Sequence, residues 1–298
     1  MKVVRFAFVA SVMLAGTVLA DAPVALHGLT LQQAPETVYA PPQPPQPQSG
    51  VNEGAVHFVG EARYMTDYVF RGIERFEVPG AEDRLNLQVH SKFTMDLGKL
   101  PHPFLELFVN VAENDPISSF QEIRPTLGFD WPIRPFVFSA GHSTYLFPDR
   151  DSLETNEVFG KVAFDDSVIW GTRNPVLSPY LLAVYDYDLY NGLYVEAGVS
   201  HRIEFEDTGL SLTFEAAVAY VHDFPLFDAD LTDGQDASGF QHYRVGVIGE
   251  YSLNELLNVS RRYGQWSITG YLYYNDRIDS DLLADRQLYG GAGVRFRY

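Results

Sequence analysis

The 298-residue chain has no cysteine, which excludes disulfides, thiolate metal sites and a cysteine nucleophile. Charge is sparse: 20% of residues are Asp, Glu, Lys or Arg, against 14% aromatic. A disordered chain shows the opposite balance. Positive charge is scarcer still, with 21 Lys and Arg against 39 Asp and Glu and a net charge of -18. Such a surface repels nucleic acid, and repels anionic headgroups unless cations bridge them. Long apolar runs are missing too. After the first twenty residues none reaches the ~18 that a bilayer-spanning helix needs. No phosphate loop, nucleophile elbow or metal triad is present, so no cofactor is expected.

What is present is 24 Gly, 18 Tyr and 21 Phe, the composition of many short strands joined by turns. Residues 1–20 open with Lys2 and Arg5, continue apolar from Phe6 to Leu19 and end Val18-Leu19-Ala20. This reads as a secretory signal peptide cut after Ala20. Residues 21–53 hold the run Tyr39 to Gln48, in which five of the ten residues are Pro. Pro cannot donate to a ladder, so this segment reads as an extended periplasmic linker.

From residue 54 to 298 the sequence alternates with a period of two. In Leu85 to Leu97 every odd position but Ser91 is apolar and every even position is polar. Similar beats start at Val56, Leu105, Leu127, Val158, Leu193, Leu210, Tyr243, Trp266 and Leu288, with less regular ones near 135–146 and 179–188. Each strand has one oily and one wet face. Several are longer than the five or six residues usual in soluble sheets, and a tilted bilayer crossing takes ~9–11. Oily faces end in aromatics such as Tyr64, Phe93, Phe129, Tyr220, Tyr251 and Tyr274, as an interfacial girdle requires. The expected fold is all-β: a transmembrane antiparallel up-and-down β-barrel of about twelve strands, lodged in outer-membrane lipid and lipopolysaccharide.

The C-terminus places Leu288, Gly290, Ala292, Val294, Phe296 and Tyr298 on one face, with Arg295 and Arg297 on the other. Gly293, Phe296 and Tyr298 resemble the C-terminal assembly signal of outer-membrane proteins, which implies recognition by the outer-membrane assembly machinery. Tyr64-Met65-Thr66-Asp67-Tyr68-Val69-Phe70-Arg71-Gly72-Ile73 resembles the opening signature of the TorF-like porin family. That resemblance implies a barrel, and a channel for small polar solutes. By parity Asp67 and Arg71 share the wet face as a structural charge pair at the mouth, while Tyr68 and Phe70 continue the oily face.

The same parity lines the lumen with Glu61, Arg63, Asp67, Arg71, Arg84, Lys92, Glu106, Arg124, Glu157, Lys161, Glu196, Glu215, Arg244, Glu250, Arg295 and Arg297. Asp96, Glu122, Asp130 and Arg202 belong to the same face. Acids and bases nearly balance, so they either define a polar slit or cross-link and close it. Reversing Arg295 and Arg297 to Glu is then expected to change ion selectivity. The longest outward connection is expected from Asp223 to Phe240, a solvated acidic loop whose Asp228, Asp230 and Asp233 form only a fragment of a calcium loop. Ser252-Leu253-Asn254-Glu255 reads as a capping box in a periplasmic connection.

Three functions compete. A porin-like channel is favoured. A non-conducting structural or adhesive barrel with a salt-bridged lumen is the alternative. A lipid hydrolase is a distant third: His142-Ser143 and Ser200-His201 are sequence neighbours, and neighbours on a strand point to opposite faces. No catalytic residue is assigned.

Overall fold

The computed structural model describes residues 55–75, 85–112, 120–148, 150–205, 208–229 and 237–298. The segments expected to be signal peptide and linker, with Arg84, Asp230 and Asp233, lie outside these. Alternation becomes twelve strands: β1 (Val56–Met65), β2 (Asn86–Met95), β3 (His102–Ala112), β4 (Phe120–Ile133), β5 (Phe136–Tyr145), β6 (Thr155–Phe164), β7 (Tyr180–Asp186), β8 (Leu193–Phe205), β9 (Leu210–His222), β10 (Gly239–Ser252), β11 (Gln265–Arg277) and β12 (Gln287–Arg297). Each pairs antiparallel with its neighbours, and β1 closes on β12 into a barrel with no free edge. Tyr298 completes the seam through two 2.8 Å backbone bonds with Phe58.

The burial pattern is inverted relative to a soluble barrel. On β4, Leu127 is 60% exposed while its neighbour Thr126 is 2% exposed. Leu105, Leu107, Phe129, Trp131, Val158, Leu181, Leu272 and Val294 are likewise exposed, on an outer wall that runs round the barrel. In water this belt would exceed any apolar patch a monomer tolerates; in lipid it is the required surface. The belt is rimmed by aromatics of two kinds. Phe93, Trp131, Phe136, Phe138 and Trp266 lie toward the end that holds both termini. Tyr64, Tyr185, Tyr187 and Tyr243 lie toward the far end.

Connections between even and odd strands are at the terminal end, and those between odd and even strands at the far end. The capping box is formed: Leu253–Leu256 is a helical turn whose cap, Ser252, accepts from the Glu255 amide at the terminal end. The longest far-end connection is residues 66–85, not the segment after His222 as expected from the sequence.

Inner-wall glycines let rings lie flat across the barrel interior. A Cβ at Gly198 would strike the Tyr180 ring, and one at Gly246 the Tyr273 ring. Overpacking of this kind costs ~1–3 kcal/mol. Gly246→Val should therefore lower the urea midpoint of the folded, heat-modifiable species, whereas Gly160→Val, which meets open space, should leave it unchanged.

Candidate functional site: a charged, tyrosine-filled lumen

Among the charges assigned to the lumen from sequence, Glu61, Arg63, Lys92, Glu106, Arg124, Glu157, Lys161, Glu196, Glu215, Arg244, Glu250 and Arg295 are all buried on the inner wall, and Arg297 is half-buried there. Glu122 and Asp130 are 0% exposed. Asp96 departs from expectation. Its strand ends at Met95, and Asp96 turns into the β2–β3 connection, where it accepts from the Gly98 amide.

Two local solutions recur among the inward acids: wall phenols donate to Glu61, Glu157, Glu196 and Glu215, and bases meet Glu106, Asp130 and Glu250 directly. Tyr271 donates to Glu61, Tyr145 to Glu157 at 2.7 Å, and Tyr180 and Tyr194 to Glu196 at 2.5 and 2.8 Å. Tyr273 donates to Glu215 at 3.4 Å. Arg244 lies 3.6 Å from Glu196. Lys92 meets Asp130 at 2.9 Å, and His90 meets Glu106 at 2.9 Å. Arg63 donates to Gln88 and covers the Tyr271 ring, while Lys161 covers the Tyr180 ring. At the terminal end Glu250 gathers Arg295 at 2.9 Å, Arg297 at 2.5 Å and Arg202 at 3.8 Å, and Arg295 also reaches Glu61 at 3.5 Å. Buried carboxylates need such partners. The rings supply the bulk that fills the interior.

The segment after β1 is where the sequence reading fails most. Met65 ends the strand, and residues 66–75 fold into the barrel as a small hairpin, Val69–Phe70 against Ile73–Glu74. Tyr68 and Phe70 are each 1% exposed, so they do not continue the oily face. Nor do Asp67 and Arg71 form the expected pair. Thr66 donates to Asp67, whereas Arg71 grips Glu157 with both nitrogens at 2.6 and 2.7 Å. Two residues in the left-handed region, Arg71 (φ 49°) and Gly72 (φ 81°), turn the chain inward and break strand parity.

The hairpin crosses the full width of the lumen at its far end. On one wall Gln241 of β10 donates to the Arg71 carbonyl at 3.0 Å, and Asn275 of β11 to the Gly72 carbonyl at 3.2 Å. On the opposite wall Tyr68 donates to Glu122 of β4 at 2.6 Å, and Arg71 meets Tyr145 of β5 and Glu157 of β6. Burial alone would lower the Arg71 pKa; Glu157 and Tyr145 outweigh it and hold it above its ordinary value. Arg75 adds a 3.8 Å contact to Glu122, and its guanidinium covers the Phe70 ring.

Beside the hairpin lies a seal of rings. Phe224 and Phe227, from the connection expected to be a solvated acidic loop, are 1% and 0% exposed and pack edge to face at 4.8 Å. Tyr190 and Tyr194 pack on them, and Leu282 is buried in the same cluster. Of the calcium fragment only Asp228 is described; it bridges to Leu282, and no trio of metal-ligating side chains occurs among the described residues. Outside the barrel, His142 contacts Tyr187 at 2.7 Å, while Ser143 pairs with Thr126 inside. His201 contacts the Val176 carbonyl, so neither His is bonded to its neighbouring Ser.

Sequence reasoning missed Tyr145, Tyr194, Phe224 and Phe227. The available signal was Phe70-Arg71-Gly72-Ile73, a two-residue turn flanked by apolar residues, read instead as a continuing strand.

No family model and no curated protein matches the chain. Solved structures with similar folds include the COG4313 outer membrane channel from Pseudomonas putida F1, at 12% identity and a TM-score of 0.47, covering 82% of this chain and 96% of that one. Salmonella typhi OmpF in complex with daunomycin matches at 9% identity and 0.35, covering 82% and 97%. A double mutant of Rh. blastica porin matches at 10% and 0.30, covering 82% and 99%. At such scores the site has to be read from its own geometry.

Proposed function

We propose that this chain is a bacterial outer-membrane channel for small polar solutes or ions, closed in the described state by its inner hairpin. The observation that carries this reading is the inversion of polarity: an apolar belt outside and a charged, hydrogen-bonding interior that a merely structural barrel could fill with aliphatic side chains at less electrostatic cost. The run from Tyr64 to Ile73 supports membership of the TorF-like porin family. Gly293, Phe296 and Tyr298 support delivery by the outer-membrane assembly machinery. Phe296 lies on the outer wall against Trp266 at 4.5 Å, within the terminal-end girdle where the lipid of the periplasmic leaflet would meet it.

A second reading, a non-conducting barrel shut by its own charge pairs, draws on the depth of burial of the wall. Planar-bilayer recording of the refolded mature protein separates the two. Discrete current steps are expected whenever the hairpin leaves the lumen, and are therefore infrequent in the wild type. Silence both from the heat-modifiable wild type and from a variant lacking the hairpin would overturn the channel reading.

A further inference from the structure

The hairpin turn is built from an unsuitable residue. A two-residue turn with φ above zero at both positions favours Asn, Asp or Gly at the first, because a longer side chain meets steric cost in the left-handed region. Here that position is Arg71. The turn gains nothing from an arginine, so its presence is explained by what the side chain reaches. It reaches an arrangement shaped to a planar cation. Glu157 of β6 accepts two parallel bonds at 2.6 and 2.7 Å. Tyr145 of β5 lies at 3.4 Å and itself donates to Glu157. The Tyr194 ring of β8 faces the guanidinium at 4.8 Å. A bidentate carboxylate with an aromatic face is how guanidinium and alkylammonium groups are recognised.

Glu157, Tyr145 and Tyr194 all belong to the barrel wall, and Arg71 belongs to the hairpin. If the hairpin leaves, Glu157 loses both charge-assisted bonds, and the nearest base left on the wall, Arg124, is held on the Tyr145 phenol at 3.3 Å, so the carboxylate face that Arg71 vacated favours a new cation.

We propose that Glu157, Tyr145 and Tyr194 form a binding site for an organic cation of the guanidinium or alkylammonium class, and that Arg71 occupies it as a tethered surrogate. The inference deepens the channel reading and rests on it for the idea that the ligand is a permeating solute. A solute of this class competes with Arg71 for Glu157, and its binding favours the state with the hairpin displaced. The surrogate is present at an effective concentration in the millimolar range or above, so the free ligand binds the wild type weakly.

The test uses the refolded mature protein in detergent and agmatine as the probe, read by titration calorimetry. Arg71→Asn keeps the turn and empties the site. It should bind agmatine saturably, and at least about ten-fold more tightly than the wild type, the factor expected when a tethered competitor is removed. Arg71→Lys, a poorer surrogate with its charge intact, should fall between them and serves if the Asn variant does not fold. Glu157→Gln added to either variant should abolish the gain. Equal affinity in wild type and both Arg71 variants, no saturable binding in any of them, or indifference to Glu157→Gln would each overturn the proposal. Titration needs no current, so the two readings fail separately. Binding without conductance in any variant would keep the site and remove the channel; conductance without binding would do the reverse.

Discussion

Replacing residues 67–74 by a short Gly-Ser turn should raise mean current in planar bilayers by roughly an order of magnitude or more, because the hairpin both narrows the lumen and inserts an apolar barrier that ions cross only by dehydrating. The expectation follows from where the segment is tied. Its bonds run to β10 and β11 on one wall and to β4, β5 and β6 on the other, so it cannot be bypassed at that level. Removal also changes the charge of the passage. Asp67 and Glu74 leave together with Arg71, a net loss of one negative charge, while Glu122 and Glu157 stay on the wall with Arg124 3.5 Å from Glu122. The loss of Arg71 from Glu157 and the loss of two acids from the segment oppose each other, so the excision is read on current rather than on the reversal potential. Phe227→Ala alone should change current far less, since the hairpin would still span the lumen. An excised variant that folds and conducts no better than the wild type would show that the closure lies deeper, among the Tyr180, Tyr271 and Tyr273 rings.

Most of the barrel was legible because lipid imposes a simple rule on each strand. Apolar and polar residues must alternate, so Leu127, Phe129 and Trp131 against Thr126 and Asp130 state both the strand and its two faces. Even the poorly alternating stretches, β5 and β7, took their places between well-patterned neighbours, since a closed antiparallel ring leaves no gap. The rule stops where the strand stops. Thr66 to Arg75 keeps some of the beat, yet nothing in period two distinguishes a strand that continues into the rim from one that doubles back into the lumen. Buried Tyr68 and Phe70 look like girdle residues because both environments accept an aromatic with a polar partner. Phe224 and Phe227 were hidden for another reason: the five Asp residues of that connection dominated its reading, although the two rings at its start decide how it packs. Which base meets which acid was also unreadable, since partners such as Arg71 and Glu157 come from elements brought together only by closure.

Arg295→Met should be the most damaging single substitution of an inner-wall charge at the terminal end, costing about 3–5 kcal/mol, the range for removing one partner of a buried ion pair. Arg295 is 1% exposed. It meets Glu250 at 2.9 Å, Glu61 at 3.5 Å and the Tyr271 phenol at 2.9 Å. Its loss weakens two carboxylates at once, Glu61 on β1 and Glu250 on β10, beside the β1–β12 seam. Arg297 supplies the contrast. It holds Glu250 as closely, but its side chain is 17% exposed, so water can replace it, and Arg297→Met should cost about 1 kcal/mol or less. The same geometry changes what charge reversal would report. Glu at 295 and 297 would set acids against Glu250 and Glu61, and the first effect would be on folding rather than on selectivity. Urea unfolding in lipid vesicles, followed by the heat-modifiable band, measures the difference. Adding Glu61→Gln and Glu250→Gln to Arg295→Met should recover part of the loss, because the buried carboxylates are then neutral. If Arg295→Met and Arg297→Met unfold at the same urea concentration, the charge at this end is solvated and the lumen there is wet.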